Sequence, residues 1–241
     1  MSSAPLNLVI DPPEALPSPA EDSILALRGI TKEWRTKRGP LRVLDSVDLD
    51  LRPGTTTWVC GQNGVGKTTV LRIAAGLIKP DSGSVCLAGL SPERDRRAFQ
   101  RSIGFLPAGD RGLYPRLTVK RHLEYWSSVA LVPRKSRSQA VARSIEDFGL
   151  TDLADRRTDR MSLGQRQRLR LAMTFLHNPS IILVDEPLNS LDSDGAAALE
   201  SALERVKAQG GAALWCSPLG EGRKPRYDAS YVIEHGRLQP A

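Results

Sequence analysis

Two stretches of this sequence combine residue types that could do chemistry on a phosphate. The first is Gly61-Gln62-Asn63-Gly64-Val65-Gly66-Lys67-Thr68-Thr69. Gly61, Gly64 and Gly66 let the backbone turn tightly and aim successive N–H groups inward, forming an anion cradle with the start of a helix. Lys67 can reach terminal phosphates as a point charge, and the Thr68 hydroxyl can hold a magnesium ion. The second is Asp185-Glu186, delivered by the aliphatic run Ile181-Ile182-Leu183-Val184. Asp185 is suited to orient magnesium through water, and Glu186 to take a proton from an attacking water. Each stretch has a plain alternative, a Gly-rich turn capping a helix or an ordinary strand exit. Their company decides against both.

The elements around them fit that reading. Thr57 to Cys60 ends a buried strand and Val70 to Ile78 has helical spacing, so the glycine loop stands between strand and helix as a P-loop requires. Upstream, a short strand is expected near Ile24 to Ile30, a polar, basic turn from Thr31 to Pro40, and an alternating strand from Leu41 to Leu51. Downstream, Ser84 to Leu87 reads as a strand. The section from about Ser91 to Pro179 is rich in arginine and mainly helical, with helices expected at Glu93 to Arg101, Val119 to Val132, Ser136 to Phe148 and Gly164 to His177. The β pattern returns at Ile181 to Asp185. A helix from Gly195 to Ala208, a strand at Ala212 to Cys216 and a last strand at Ser230 to Glu234 follow. Strands alternating with helices predict an α/β fold with a mostly parallel sheet, split by a helical insertion at about 91–179.

At 241 residues, with 40% hydrophobic and 25% charged side chains, the chain can bury a sizeable core. Its net charge of +7 suits a nucleotide, a nucleic acid or an anionic membrane surface and does not choose among them. Cys60, Cys86 and Cys216 lie scattered in apolar stretches, which fits buried thiols in a reducing cytosol. No apolar run approaches the roughly 18 residues needed to span a bilayer, so a membrane role would need another chain to supply the spans. Residues 1–22 carry five prolines among small and acidic residues and are expected to be disordered, leaving 23–241 as the folded domain.

Met161-Ser162-Leu163-Gly164-Gln165-Arg166-Gln167-Arg168-Leu169 stands shortly before the Asp185 strand. With the P-loop and Asp185-Glu186, it resembles the ATP-binding subunit of an ABC (ATP-binding cassette) transporter, whose signature is usually written Leu-Ser-Gly-Gly-Gln. The resemblance covers about residues 24–238. It implies a P-loop NTPase core with an antiparallel β portion at the N-terminus, and ATP and Mg2+ as cofactors. It also implies a head-to-tail homodimer or heterodimer with a second ABC ATPase, in which Ser162, Gly164 and Gln165 meet ATP held by the opposite protomer. The helix start would supply a hydroxyl, backbone donors and a positive dipole end; a simple Ser N-cap is the alternative. A transmembrane permease is the implied partner, and the implied location is cytoplasmic, peripheral on the inner face of the cell membrane. Trp34 lies where the family places an aromatic that stacks on adenine, unless it is a core aromatic. Asn189-Ser190-Leu191-Asp192 resembles the loop that contacts the partner's P-loop. Gly109 to Thr118 would face the permease, with Leu113 and Tyr114 as apolar anchors and Arg111 and Arg116 at the rim, if they are not packed inside.

Two departures stand against these matches. The family's glutamine after the strand Ile103 to Pro107 is Ala108 here, and its Thr-His or Ser-His after Ala212 to Cys216 is Ser217-Pro218. Neither replacement can donate to a γ-phosphate, which predicts competent Mg-ATP binding and slow hydrolysis unless Ser217, Asp110 or Arg111 takes over. The rival readings are a soluble ABC-type ATPase acting on nucleic acid or ribosomes and an unrelated P-loop kinase or GTPase. A single cassette without sustained heptads disfavours the first, so no direct nucleic-acid contact is expected. The signature before Asp185 disfavours the second.

Overall fold

The computed structural model describes residues 22–37, 39–109, 112–188, 191–219 and 226–241. The expected disordered tail, apart from Asp22, lies outside the described residues, as do Asp110, Arg111, Asn189 and Ser190.

Strands β1 (Leu25–Thr36), β2 (Gly39–Leu51) and β4 (Ser82–Leu87) form an antiparallel sheet in the order β2-β1-β4. The basic segment expected as a turn from Thr31 to Pro40 is mostly strand. Cross-strand pairs continue to Thr36↔Gly39, supported by the ion pair of Arg42 with Glu33, so the reversal is confined to the tip of a long hairpin.

The second sheet runs β5 (Ile103–Leu106), β6 (Ile181–Asp185), β7 (Ala212–Pro218), β3 (Thr56–Gly61), β8 (Ala229–Glu234), β9 (Arg237–Pro240). The first five strands are parallel, and β9 closes the edge antiparallel to β8. The fold is therefore the expected α/β P-loop core with an antiparallel portion. Strand β9 is an addition: the expected last strand was β8, but the chain reverses at His235-Gly236, both at positive φ (49° and 78°), and pairs back.

Strand periodicity assigns the two faces of this sheet. Val59, Leu183, Leu214 and Cys216 pack with Val70, Leu71, Ile73 and Ala74 of α1 (Lys67–Ala74) and with the antiparallel sheet. Trp58, Cys60, Val184 and Trp215 face the other way. They meet α5 (Leu163–Phe175) and α6 (Ser193–Ala208), with α3 (Val119–Val129) and α4 (Arg137–Asp147) beyond. Helix α1 stops short of the expected Ile78 because Gly76 takes a left-handed turn (φ 64°). Helix α2 (Arg96–Arg101) starts later than the expected Glu93, because the Ser91 hydroxyl and Asp95 carboxylate bind nearby main-chain amides in a preceding turn. Within 91–179, β5 belongs to the parallel sheet; α2 precedes it, and α3, α4 and α5 gather after it.

Candidate functional site

The exits of β3 and β6 lie two strands apart, with β7 between them. Leaving β3, the chain turns through Gly61, Gly64 and Gly66 at φ 155°, 81° and 120°. At Gly66 a side chain is excluded twice: the positive φ disfavours it, and a Cβ would come within 2.9 Å of the Val43 carbonyl oxygen. Gln62, Asn63 and Gly64 are exposed, Val65 and Thr69 half-buried, and Gly66 caps the start of α1. The buried Lys67 ammonium donates to the Gly61 and Gln62 carbonyl oxygens, both at 2.9 Å, so its charge sits inside the loop.

Asp185 ends β6 on the α1 face, and its Oδ2 accepts the Thr68 hydroxyl at 2.6 Å. Its other oxygen, Oδ1, is buried without a hydrogen-bond partner among the described residues. Burial pushes this carboxyl above its usual range, while the Thr68 hydroxyl and the charges of Lys67 and Arg72 oppose the rise. An orphaned carboxylate oxygen beside a threonine hydroxyl is a hard-oxygen donor set that fits Mg2+. Next in the chain, half-buried Glu186 adopts a left-handed backbone (φ 48°), and its N–H donates to the Cys216 carbonyl at 2.8 Å. A non-glycine residue held there is strained, and such strain concentrates at functional sites.

Strand β7 supplies the wall between these halves. Pro218 pairs in register with Gly61, and Cys216 with Asp185. Pro218 is buried and shares the α1 face with Cys216, whose thiol burial pushes far above its usual range. Ser217 points to the opposite face, where its hydroxyl accepts the Trp58 indole N–H at 2.8 Å. It is thus engaged away from Lys67 and Thr68. Ala108, past the end of β5, is exposed and brings only a methyl group.

Ser162, Gly164 and Gln165 are not brought to this loop. They open α5 on the other face of the sheet, where Ser162 is the N-cap of a complete capping box with Gln165 (3.2 and 3.1 Å). Ser162 and Leu163 are exposed. The cap reading and a role toward a second molecule are therefore compatible, since the cap leaves the hydroxyl proton free to donate. Asp192 likewise caps α6 through Gly195 N–H at 2.8 Å. Trp34 is not a core aromatic: it is 40% exposed near the hairpin tip, with Lys32 Nζ 5.2 Å from its ring centre. Its strand partner Leu41 lies two residues before Val43, which passes Gly66, roughly 7 Å along the strand. Leu113 is half-buried against the core, whereas Tyr114 is exposed and meets the rings of His122 and Tyr125. Arg170 of α5, which holds the β5 exit through the Pro107 and Gly109 carbonyls and is itself bonded to Gln167, was not marked by any sequence signal beyond a generally Arg-rich helix.

A family model described as "ABC transporter" matches residues 44–189, the span holding the loop, the α5 start and Asp185-Glu186. Over 215 residues the chain is 27% identical to the ABC transporter ATP-binding protein NatA of Bacillus subtilis, covering 89% of this chain and 87% of that protein. It is 36% identical over 194 residues to the lipoprotein-releasing system ATP-binding protein LolD 1 of Rhodopirellula baltica, covering 77% and 83%. Among solved structures, the dimeric post-hydrolysis state of the ATP-binding cassette MJ0796 bound to ADP and Pi aligns with a TM-score of 0.75. That alignment has 22% identity over 89% of this chain and 96% of that one, a likeness that speaks for the fold.

Proposed function

This chain belongs to the ABC transporter family, and from that premise we infer how its residues serve an ATP-binding, ATP-hydrolysing transporter subunit. The loop amides from Gly61 to Thr69 and the Lys67 ammonium take the phosphates, Lys67 exchanging its two carbonyl partners for phosphate oxygens. Thr68 and Asp185 would hold Mg2+, which would supply neutralisation of phosphate charge when bound. Glu186 orients water and accepts its proton, and Trp34 stacks on the base. Exposed Ser162, with Gly164 and Gln165, reaches ATP on the opposite protomer of a head-to-tail dimer. The observation that carries this reading is the 2.6 Å Thr68–Asp185 bond beside an Asp185 Oδ1 that has no partner among the described residues.

The same site lacks two transition-state donors. The side chains of exposed Ala108 and buried Pro218 offer no hydrogen to the γ-phosphate, and removing one such donor elsewhere costs about a hundredfold or more in rate. The chain therefore binds Mg-ATP well and turns it over slowly alone, lending its α5 start to a more complete partner ATPase.

A permease docks at the groove of about 500 Å3 walled by Leu77, Phe105, Trp126, Val129, Leu131 and Met173. Leu77, Val129 and Leu131 are each at least half exposed, with exposed Arg97 and Arg101 beside them and Tyr114 near the same helix. Apolar anchors within a cationic rim suit an amphipathic segment carrying carboxylates. Such docking places the subunit peripherally on the inner face of the cell membrane. Among the described residues no helix is long and apolar enough to cross one.

Titrating purified protein with a fluorescent ATP analogue, with and without Mg2+, and measuring phosphate release tests the reading. Magnesium-dependent binding with turnover below a few per second is expected. Faster turnover without a partner overturns the slow-site reading, and absence of binding overturns the whole.

A further inference from the structure

Arg170 lies in the middle of α5 and is only 4% exposed. A buried guanidinium must find acceptors for its fixed fork of donors or destabilise the fold. Its acceptors come from separate parts of the chain. Nη2 donates to the Pro107 carbonyl at 2.6 Å, and Nη1 donates to the Gly109 carbonyl and, at 2.7 Å, to Gln167 Oε1. The pair Pro107 and Gly109 brackets Ala108, the residue at the β5 exit that has no polar side chain of its own. Buried Gln167 in turn directs its Nε2 toward the Pro187 carbonyl at 3.5 Å, one residue beyond Glu186.

The guanidinium thus ties three segments together: the β5 exit that leads on to Leu113 and Tyr114, the helix whose N-cap is Ser162, and the chain just after Glu186. We propose that Arg170 is a positioning residue that makes the β5 exit and α5 move as one body. It supplies through main-chain carbonyls the linkage that the side chain at 108 does not provide. The functional side of this rests on the transporter reading above: displacement of the groove-facing segment is passed to the α5 start, hence to ATP on the opposite protomer. None of these three bonds reaches the P-loop, so the effect expected of Arg170 is on geometry, with nucleotide affinity left alone.

The test uses the full chain with Arg170→Met, which keeps length and helix preference without the charge, and Arg170→Lys, which keeps the charge but has no fork. The freed Pro107 and Gly109 carbonyls are half-buried and exposed, so water can reach them and the Met variant should fold. In Arg170→Met, amide exchange at Ala108, Gly109 and residues 112–114 should speed up roughly tenfold or more, the loss expected for charge-assisted hydrogen bonds. Protection along α5 and affinity for the fluorescent ATP analogue should stay within twofold of wild type. Steady-state kcat should fall about tenfold to a hundredfold with KM unchanged. Arg170→Lys should recover part of the exchange protection.

Unchanged exchange at Ala108, Gly109 and residues 112–114 overturns the proposal. So does loss of protection along α5 in step with the loop, which marks a merely structural residue, or a Lys variant no better protected than Met. Wild-type protein that binds no ATP would defeat the transporter reading, while the exchange comparison would still decide the role of Arg170.

Discussion

Four parallel strands end side by side at one edge of the large sheet, and they divide into two kinds. The exits of β3 and β6 carry Lys67, Thr68, Asp185 and Glu186, with backbone held at positive φ and a carboxylate oxygen that has no partner among the described residues. The exits of β5 and β7 carry Ala108 and Pro218, whose side chains have no hydrogen to donate. Because β7 lies between β3 and β6, the apolar ring of Pro218 stands between the phosphate loop and the carboxylates. The contrast separates two jobs that share one site. On the proposed reading, holding a nucleotide needs the first pair of exits, and completing the charge stabilisation of hydrolysis needs the second as well.

Changing one exit at a time probes this division. The largest effect is expected from Lys67→Ala at the β3 exit. Losing charge-assisted bonds there should weaken ATP binding about a hundredfold, read by nucleotide titration, and unaltered affinity would break the comparison at its strongest member. Next comes the reverse experiment at the poor exits, Ala108→Gln combined with Pro218→His. Turnover should rise up to about a hundredfold at unchanged affinity, with Pro218→Ala as the control for simply removing the ring. No rise would mean that these exits were never the deficit.

Smaller effects test the elements that frame the exits. Ser162→Ala removes the acceptor of the Gln165 amide and should lower stability to urea by about 1 kcal/mol while leaving nucleotide affinity in the isolated chain unchanged. The smallest concerns His122, whose Nε2 accepts the Tyr114 N–H at 2.8 Å and whose Nδ1 lies 3.1 Å from the Thr118 carbonyl. Burial lowers its pKa from the ordinary 6.5, with the Thr118 carbonyl opposing. Just below pH 6.5 the unfolded chain therefore binds a proton that the folded chain refuses. This share of stability is present above 6.5 and is lost as pH falls through the folded value. Thermal melts of His122→Gln should show a shallower decline over that range; His177, lowered in the same direction by burial, keeps the remainder.

What could be read in advance follows from which signals are local. The P-loop, the β6 strand ending in Asp185-Glu186 and the α5 cap are written in consecutive residues, so sequence reveals them. Element interiors also follow from periodicity. Strand β9 was hidden because Arg237–Pro240 is short, largely exposed and contains a proline. The long hairpin was hidden because its tip is basic and polar although paired. Arg170 was the least legible: an arginine in an Arg-rich helix reads as solvated surface, and the carbonyl acceptors that its buried guanidinium finds come from the tertiary approach of the 107–109 chain. The inert orientation of Ser217 likewise depends on the register of β7 against β3, which no single segment encodes.

The left-handed backbone at Glu186 has a consequence for how this position behaves under selection. Glycine or asparagine would relieve a strain of about 1 to 3 kcal/mol there, yet neither carries a carboxylate. In a library scored only for soluble expression, codons for those two residues should be enriched at 186. In the same library scored for ATP-driven transport, they should vanish. The gap between the two enrichment profiles at this one codon would read out what the activity costs the fold.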